Sequence, residues 1–311
     1  MSSNTRAGVG LRPAPKVAGF GDNVIDRFLD RGIDYPGGNC VNFAVFARQR
    51  GASAAYLGVF GSDAAGGHIR EVLDEIGVDV SQSIVRVGES GYAEVEVVDG
   101  ERHFRGGNLG GVSVAEPLLL GTGELDFLAE FDLVHSSVYS NSESELAKLR
   151  TLDALVSYDL SSEREFRSAD YLQRVAPFVD LALLSCSNLT EVETKRDLAL
   201  VVNHGARYAL GTRGTRGAIL FDGTMFHRTA AVPIPNAALV VDTMGCGDAF
   251  VAAFAVELLR SGWNRDTLAG PDVVARALGD AADFAMRQCL VAGAFGYGRA
   301  RARAVDEFGV G

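Results

Sequence analysis

The segment Asp242–Asp248, with the sequence DTMGCGD, contains the residue types that phosphoryl transfer requires. It follows a run of valines and precedes an apolar stretch that predicts a helix starting near Gly247. Gly245 and Gly247 let the backbone approach a ligand closely, so the amides of these residues, Cys246 and Asp248 would face outward at a helix N-terminus. Such amides bind anions through N–H groups without partners and the positive end of the helix dipole. Asp248 could then be the base that activates a hydroxyl, or it could only cap the helix.

Two later loops could hold the phosphates and the metal ion of a nucleotide. The segment Asn188–Glu191 (NLTE) follows an apolar strand, and its amide and carboxylate could organise Mg²⁺ through water, with Glu191 nearest the metal. The loop Gly211–Gly217 (GTRGTRG) separates two strands. Its small residues leave room for a nucleotide, and Arg213 or Arg216 could bind the phosphates. A helix cap and a plain turn are the alternatives. The residues assigned to the nucleotide are Asn188, Glu191, Thr212, Arg213, Gly214 and Gly217.

Two segments near the N-terminus could bind a polyol. Gly21–Asn23 (GDN) ends the first strand, where ligands bind in open α/β sheets. Pro36–Asn42 (PGGNCVN) opens a helix with two glycines and two amide side chains. Carboxylates, amides and exposed N–H groups can hold hydroxyl pairs, although a turn and a cap would have the same composition. The residues assigned to the substrate are Asp22, Gly37, Gly38, Asn39 and Asn42.

Several other active-site motifs are absent from the sequence. No Gly-Lys dipeptide occurs, so there is no Walker A loop, and no complete G-x-G-x-x-G, G-x-S-x-G or H-E-x-x-H is present. The histidines are scattered without metal-ligand spacing, and we interpret them as ordinary core or surface residues.

Composition and charge limit the classes of protein to which the chain can belong. The chain has 311 residues, of which 47% are hydrophobic and 22% are charged, as is typical of a globular protein. The net charge of -11 argues against non-specific binding to nucleic acid or to an anionic membrane. No segment approaches the roughly 18 apolar residues of a membrane helix, and the N-terminus lacks the apolar core of a secretory signal. We therefore expect a cytoplasmic protein.

The four cysteines lie far apart in the sequence and include no C-x-x-C pair. We interpret Cys40, Cys186, Cys246 and Cys289 as reduced, buried thiols of a cytosolic protein.

Apolar runs alternate with helical patterns along the chain, which predicts an α/β fold with a mostly parallel sheet. Two stretches, at about 24–36 and 83–105, instead alternate apolar and polar residues, and the second contains the turn Asp99-Gly100. They predict a small separate sheet, with an edge extension of the main sheet as the alternative.

Residues 1–15 are predicted to be a mobile tail, and residues 16–311 a single domain. Predicted strands are Lys16–Gly21, Ala54–Phe60, Leu133–Ser136, Leu155–Asp159, Leu181–Ser185, Tyr208–Gly211 and Ala218–Phe221. Predicted helices are Gly38–Gly51, Gly67–Glu75, Glu143–Leu152, Ala169–Ala176, Leu189–His204, Gly247–Ser261 and Pro271–Cys289.

These motifs together resemble the PfkB/ribokinase family of carbohydrate kinases. Residues 37–66 are similar to its N-terminal signature, and Asp242–Asp248 resembles its C-terminal signature with Cys246 in place of the usual alanine. The resemblance implies a ribokinase-like three-layer αβα sandwich with a small β-sheet lid, which often forms the dimer contact. It also implies MgATP as phosphoryl donor, Asp248 as base, the amides of residues 245–248 as an anion hole, and a sugar or nucleoside as acceptor. A monovalent cation such as K⁺ would be held by Asp242 and the Met244 carbonyl.

Within this family, the sequence looks similar to fructoselysine 6-kinases at Gly21–Asp26, at the Gly-Gly-Asn-x-Val-Asn pattern and at Asp132–His135 (DLVH). This similarity implies a fructosamine substrate whose amino-acid part contacts Arg105, Glu94 or Glu96. The alternatives are a kinase for ribose, 2-keto-3-deoxygluconate, fructose or a nucleoside, or a binding module without turnover.

Overall fold

The computed structural model describes residues 13–98 and 101–301. Its strands are β1 (Lys16–Gly21), β2 (Val24–Phe28), β3 (Ile33–Gly37), β4 (Ser53–Gly61), β5 (Ile84–Arg86), β6 (Gly91–Val98), β7 (Glu101–Gly107), β8 (Leu133–Ser137), β9 (Leu155–Asp159), β10 (Leu181–Ser185), β11 (Tyr208–Thr212), β12 (Ala218–Phe221), β13 (Phe226–Thr229) and β14 (Arg299–Ala300). Its helices are α1 (Asn39–Gln49), α2 (Ala64–Ile76), α3 (Val112–Ala115), α4 (Thr122–Leu128), α5 (Leu146–Leu149), α6 (Ala169–Val175), α7 (Glu191–Asn203), α8 (Cys246–Arg260) and α9 (Pro271–Gln288).

The larger sheet has the strand order β13-β12-β11-β10-β9-β8-β1-β4-β5 within the described residues. The strands from β11 to β5 pair in parallel, whereas β12 and β13 are antiparallel. β8 and β9 are buried along their whole length, because helices cover both faces of a parallel sheet. The carboxyl ends of β1, β8, β9, β10 and β11 lie along one edge. Residues that end these strands can therefore meet in one site.

Helices on both faces of this sheet complete three layers. On one face, α1, α8 and α9 contribute the fully buried Phe46, Phe254 and Leu278. On the other face, α4, α6 and α7 contribute Leu128, Leu172 and Leu198. The predicted αβα sandwich is confirmed.

A small sheet stands apart, with the order β14-β3-β2-β6-β7 in the described part of the chain. It confirms the predicted second sheet, but its bounds differ from the prediction, and the start of the second stretch forms the edge extension that was the alternative. β5 pairs with β4 in the larger sheet, so the stretch 83–105 joins the small sheet only from Gly91 and continues to Gly107. β14, which was not predicted, pairs antiparallel with β3.

Two helices have bounds that differ from the predicted ones, and local hydrogen bonds explain both differences. The predicted helix Glu143–Leu152 is a 3-10 turn followed by α5, and the Thr151 hydroxyl donates back to the Lys148 carbonyl at 2.7 Å where that helix ends. α7 begins at Glu191 because Thr190 and Glu193 form a reciprocal capping box.

Some predictions lie outside the described residues. They include most of the predicted tail 1–15, the turn Asp99-Gly100 and the end of the predicted domain beyond residue 301. Within the described tail, the Pro15 carbonyl accepts a hydrogen bond from Ser53 N–H at 2.8 Å. Among the helices that the structure describes, none has both the length and the apolar character for a membrane span.

Candidate active site

Asp248 is the third residue of α8, and Gly245 is the N-cap of this helix. Gly245 has a φ of 70°, and a Cβ at this position would lie 2.8 Å from the Cβ of Ala294. The first intrahelical bond runs from Ala249 N–H to the Gly245 carbonyl at 2.8 Å. The preceding helical amides therefore have no acceptor inside the helix and face its N-terminal end. Cys246 N–H makes a long bond of 3.4 Å to the Thr243 carbonyl.

The Asp248 carboxylate makes no hydrogen bond to a backbone amide of α8 within the described part of the chain. It accepts from Asn39 Nδ2 at 2.9 Å and from Asn42 Nδ2 at 2.7 Å, so both of its oxygens are held by α1. α1 starts where it does because Gly38 has a φ of 106°, and a Cβ there would lie 2.7 Å from Asn23 Cα. Asp248 therefore bonds to α1 rather than to the amides of its own helix, and its role as a base stays a prediction.

Asn39 connects four elements through its backbone and side chain. Its Nδ2 also donates to Asp159 Oδ2 at 2.7 Å, at the end of β9. Its backbone N–H donates to Asp22 Oδ2 at 2.6 Å, just after β1. Its Oδ1 lies 2.7 Å from His135 Nε2 in β8. Two predicted substrate residues, Asn39 and Asp22, are thus brought together with the predicted base Asp248.

Asp22 lies in a group of hydroxyls from the turn after β8. Its Oδ1 accepts from Ser137 Oγ at 2.9 Å and from Ser140 Oγ at 2.7 Å, and its side chain is buried. With the bond from Asn39, three donors fix this carboxylate, and Oδ2 keeps capacity for a further donor such as a substrate hydroxyl.

Carboxyl groups crowd this site, and burial perturbs them. Burial, followed by the negative charge of Asp159, raises the pKa of Asp248 well above its usual range. Burial raises the pKa of Asp159 to about 6. None of the ion pairs within the described residues involves Asp22, Asp159 or Asp248. The site is therefore rich in carboxylates without a neutralising cation from these side chains.

The sequence interpretation missed His135 and Asp159. His135 is completely buried, stacks on Phe43 with ring centroids 4.2 Å apart, and has its pKa lowered to about 3 by burial. It is neutral, and its contact with Asn39 makes it part of the site rather than an ordinary core histidine. One signal could have found Asp159, which is a carboxylate at the last residue of an apolar strand, whereas His135 lies in the middle of β8.

Asn42 and Gly37 face the same region. Asn42 is buried, and its Oδ1 has no hydrogen-bond partner among the described residues. A Cβ on Gly37 would lie 2.7 Å from Asp26 Oδ2 and 3.7 Å from Asn42 Oδ1, so the missing side chain leaves space beside both oxygens.

Asp242 is bound by backbone amides on both sides. Its Oδ1 accepts from Thr243 N–H at 2.7 Å and from Met244 N–H at 3.0 Å, and its Oδ2 accepts from Gly293 N–H at 3.2 Å. The Asp242 side chain therefore stabilises the loop before α8. The binding of a monovalent cation by Asp242 stays a prediction. In the described parts of the chain, no three His, Cys, Asp or Glu side chains gather as a metal site.

The predicted nucleotide residues follow neighbouring strands of the larger sheet. Asn188 is exposed in the loop between β10 and α7, and Thr212 ends β11, where its carbonyl accepts from Cys186 N–H at 2.7 Å. Gly214 and Gly217 bound a short 3-10 turn and have φ values of 58° and 80°. The structure thus places both loops at the carboxyl ends of β10 and β11, and their contact with a nucleotide stays a prediction.

The Glu191 carboxylate forms ion pairs with basic side chains. It lies 2.9 Å from Lys195, 2.7 Å from Arg228 and 4.0 Å from Arg213. Its role beside Mg²⁺ stays a prediction, as do the phosphate contacts of Arg213.

Arg105 lies in β7 of the small sheet. Its Nε donates to Glu96 Oε2 on β6 at 2.7 Å, and both side chains are partly exposed. No described hydrogen bond or ion pair joins Arg105 to Asp22, Asn39 or Asn42. Its contact with substrate stays a prediction.

The cysteines correct one expectation from the sequence. Cys40 and Cys186 are buried, but Cys246 and Cys289 are partly exposed, and their Sγ atoms lie 3.3 Å apart. The hydrogen bond from Cys246 lowers the pKa of Cys289 to about 7. They are adjacent because α8 begins where α9 ends, a relationship that separation along the chain does not reveal.

Comparison with known proteins identifies the family. Residues 31–278 match the pfkB family carbohydrate kinase description. The chain is 36% identical to the fructosamine kinase FrlD of Bacillus subtilis (strain 168) over 285 residues, which cover 91% of this chain and 94% of that protein. It is 30% identical to the fructoselysine 6-kinase of Escherichia coli (strain K12) over 239 residues, or 76% of this chain and 87% of that protein. The structure of a fructokinase with bound ATP from Xylella fastidiosa superposes with a TM-score of 0.74 at 18% identity, covering 91% of this chain and 94% of that one.

The fold is a ribokinase-like αβα sandwich. The chain belongs to the pfkB family of carbohydrate kinases, which confirms the resemblance read from the two signatures.

Proposed function

We propose that this enzyme phosphorylates a fructosamine such as fructoselysine at its 6-hydroxyl, with MgATP as donor and Asp248 as base. The observation that carries the proposal is the Asp248 carboxylate, held by Asn39 and Asn42 in the first turn of α8, beside amides without intrahelical acceptors.

Asp248 is suited to take the proton of an attacking hydroxyl. Burial and neighbouring carboxylates raise its pKa, which strengthens it as a proton acceptor. The amides of residues 245–248 would stabilise the negative charge on the transferred phosphoryl group, since this charge develops next to a helix N-terminus. Base and anion hole then lie within one helical turn.

The donor nucleotide would occupy the edge formed by Asn188, Thr212 and the loop Arg213–Gly217. Exposed backbone and small residues there suit a nucleotide, and bound Mg²⁺ would neutralise phosphate charge during transfer. No three His, Cys, Asp or Glu side chains of the described residues are arranged to hold a metal ion, which fits a metal held mainly by phosphates and water. Glu191 and Asp242 are the proposed contacts for Mg²⁺ and K⁺.

Two observations support a fructosamine over an unmodified sugar. The relatives named above as fructosamine kinase and fructoselysine 6-kinase share at least 30% of their aligned residues with this chain. A fructosamine also carries a secondary amine that is protonated near neutral pH, whereas fructose is neutral. Asp159 stands 2.7 Å from Asn39 Nδ2 in a site that lacks a balancing side-chain cation among the described ion pairs. Asp159 would pair with the ammonium group.

The test is the rate of ADP release with fructoselysine, fructose, ribose, 2-keto-3-deoxygluconate and nucleosides. We expect the highest kcat/KM with fructoselysine, and phosphate at its 6-position by NMR. A higher kcat/KM with an unmodified sugar would refute the fructosamine assignment and leave the kinase class intact.

The small sheet is the proposed contact of a homodimer. Leu29, which directly follows β2, and Phe104 in β7 are 40% and 64% exposed, respectively. The mass in solution by light scattering, compared with that of the double variant Leu29→Lys/Phe104→Lys, tests this assembly. A monomeric wild type would refute it.

A further inference from the structure

Cys246 and Cys289 bring two thiols together beside the proposed anion hole. Their Sγ atoms are 3.3 Å apart, although 43 positions separate them in sequence. Cys246 is the first residue of α8, and Cys289 directly follows the last residue of α9. Both are partly exposed, so a small solute can reach them.

We propose that this pair is a modification site at which a hydroperoxide or a low-molecular-weight disulfide forms an intramolecular disulfide that reversibly inhibits the enzyme. A disulfide bond measures about 2.05 Å, so the sulfur atoms must approach by about 1.3 Å, which two side chains can share. Formation of the bond depends on this geometry alone. The inhibition rests on the proposed function of the residues around Cys246.

The chemistry with a hydroperoxide proceeds in two steps. One thiolate attacks the peroxide: an S–O bond forms, the O–O bond breaks, and the alkoxide leaves as the alcohol after taking a proton. The second thiolate attacks the resulting sulfenic acid: the S–S bond forms, the S–O bond breaks, and hydroxide leaves as water. The two thiols lose two electrons and two protons, and the hydroperoxide accepts them.

A low-molecular-weight disulfide gives the same product by exchange. One thiolate displaces a small thiol and forms a mixed disulfide, and the other thiolate displaces the second small thiol. Two external thiols reverse the reaction through the same intermediates.

The disulfide would restrain the loop on which the proposed anion hole depends. Val241 N–H and Asp242 N–H already donate to the Cys289 carbonyl at 2.8 and 3.3 Å, and Gly293 N–H donates to the Asp242 carboxylate. A covalent bond from Cys246 to Cys289 would join the other end of this loop to the same segment. The Cys246 amide would then be less able to exchange its long bond to Thr243 for a phosphoryl oxygen.

The other two cysteines are poor competitors for the oxidant. Cys40 and Cys186 are fully buried, and the Cys40 thiol donates to the Phe20 carbonyl at 3.1 Å. Modification should therefore be confined to the exposed pair.

The test exposes the full chain to hydrogen peroxide and, separately, to oxidised glutathione. We expect the loss of two of the four thiols, a mass lower by about 2 Da, and one cross-linked peptide pair containing Cys246 and Cys289. Turnover with the best sugar should fall by at least about 10-fold and return with dithiothreitol.

Cys289→Ser is the diagnostic variant and Cys186→Ser its matched control. Cys289→Ser should keep the untreated turnover, form no cross-link and resist the dose that inactivates the wild type. Cys186→Ser should respond as the wild type does. Retention of all four thiols at a dose that fully oxidises free dithiothreitol would overturn the proposal, as would a cross-linked protein with full turnover or equal inactivation of Cys289→Ser. If the reduced protein phosphorylates none of the sugars, the proposed function fails, while mass and peptide mapping still decide whether the disulfide forms.

Discussion

His135 Nε2 lies 2.7 Å from Asn39 Oδ1, and the amide nitrogen of Asn39 reaches both Asp159 and Asp248. Because a carbonyl oxygen only accepts, His135 donates through Nε2 and accepts at Nδ1 from Ser157 Oγ, 2.7 Å away. This tautomer determines which end of the Asn39 amide faces the carboxylates. His135 is therefore a positioning residue for the proposed base.

Replacing His135 should separate positioning from simple packing. In His135→Asn the shorter amide can reach Ser157 but not Asn39, so Asn39 can rotate and offer its oxygen to the carboxylates. We expect kcat to fall about 10- to 100-fold, in line with the loss of one buried hydrogen bond. The acidic limb of the kcat/KM profile should move to higher pH, because the carboxylates lose a donor that favours their charged form.

His135→Gln is the matched control, since its Nε2 can occupy nearly the position of the imidazole Nε2. It should recover most of kcat and the original pH profile. If both variants lose the same activity with unchanged pH profiles, His135 acts only through packing.

Asp248→Asn tests the base directly. The carboxamide keeps the size of the side chain but cannot accept the proton of the attacking hydroxyl, so turnover should fall by about 10³-fold or more. MgATP affinity by calorimetry should change little, because the amides of α8 remain. Phosphorylation at close to the wild-type rate would disprove the assignment.

The pKa of Asp159, raised to about 6 by burial, predicts a pH dependence specific to cationic substrates. Above pH 6 the carboxylate is charged and can bind the fructosamine ammonium, and below pH 6 this charge is lost. The KM for fructoselysine should therefore rise by up to about 10-fold per pH unit below 6, while the KM for fructose stays nearly constant. Asp159→Asn should raise the KM for fructoselysine at pH 7.5 and remove this difference. Parallel pH dependence for both sugars would argue against the pairing.

Gly38→Ala should destabilise the protein because the new Cβ would lie 2.7 Å from Asn23 Cα at a φ of 106°. We expect a loss of about 2 kcal/mol or more in the free energy of unfolding, measured with urea. Gly279→Ala is the control on α9, where nothing lies within 4 Å of the new Cβ, and it should be neutral or stabilising by up to about 1 kcal/mol. Equal effects of the two substitutions would contradict this explanation.

The two helix starts in the site could be predicted from the sequence, because each depends only on residues that are close together in the chain. The start of α8 and the start of α1 each depend on a glycine and on residues within one turn, so their motifs lie in short segments. The layer arrangement followed in the same way from alternating apolar runs and helical patterns.

Contacts between distant strands could not be predicted in this way. β1 lies between β8 and β4, so His135 and Asp159 meet Asn39 across 96 and 120 positions of the chain. The Cys246–Cys289 contact depends on how α8 and α9 pack together. The sheet that β5 joins depends on which strand has an edge free to pair with it. Each is decided by tertiary packing rather than by a local pattern.

The pairing of β14 with β3 has a consequence for synthesis of the chain. The Arg301 guanidinium bonds to Asp34, 267 positions earlier, beside the two-residue pairing of β14 with β3. A ribosome delivers residues in order, so the edge of β3 stays open until almost all of the described chain has emerged. An open strand edge can pair with another chain, so nascent copies could associate through this edge until β14 covers it.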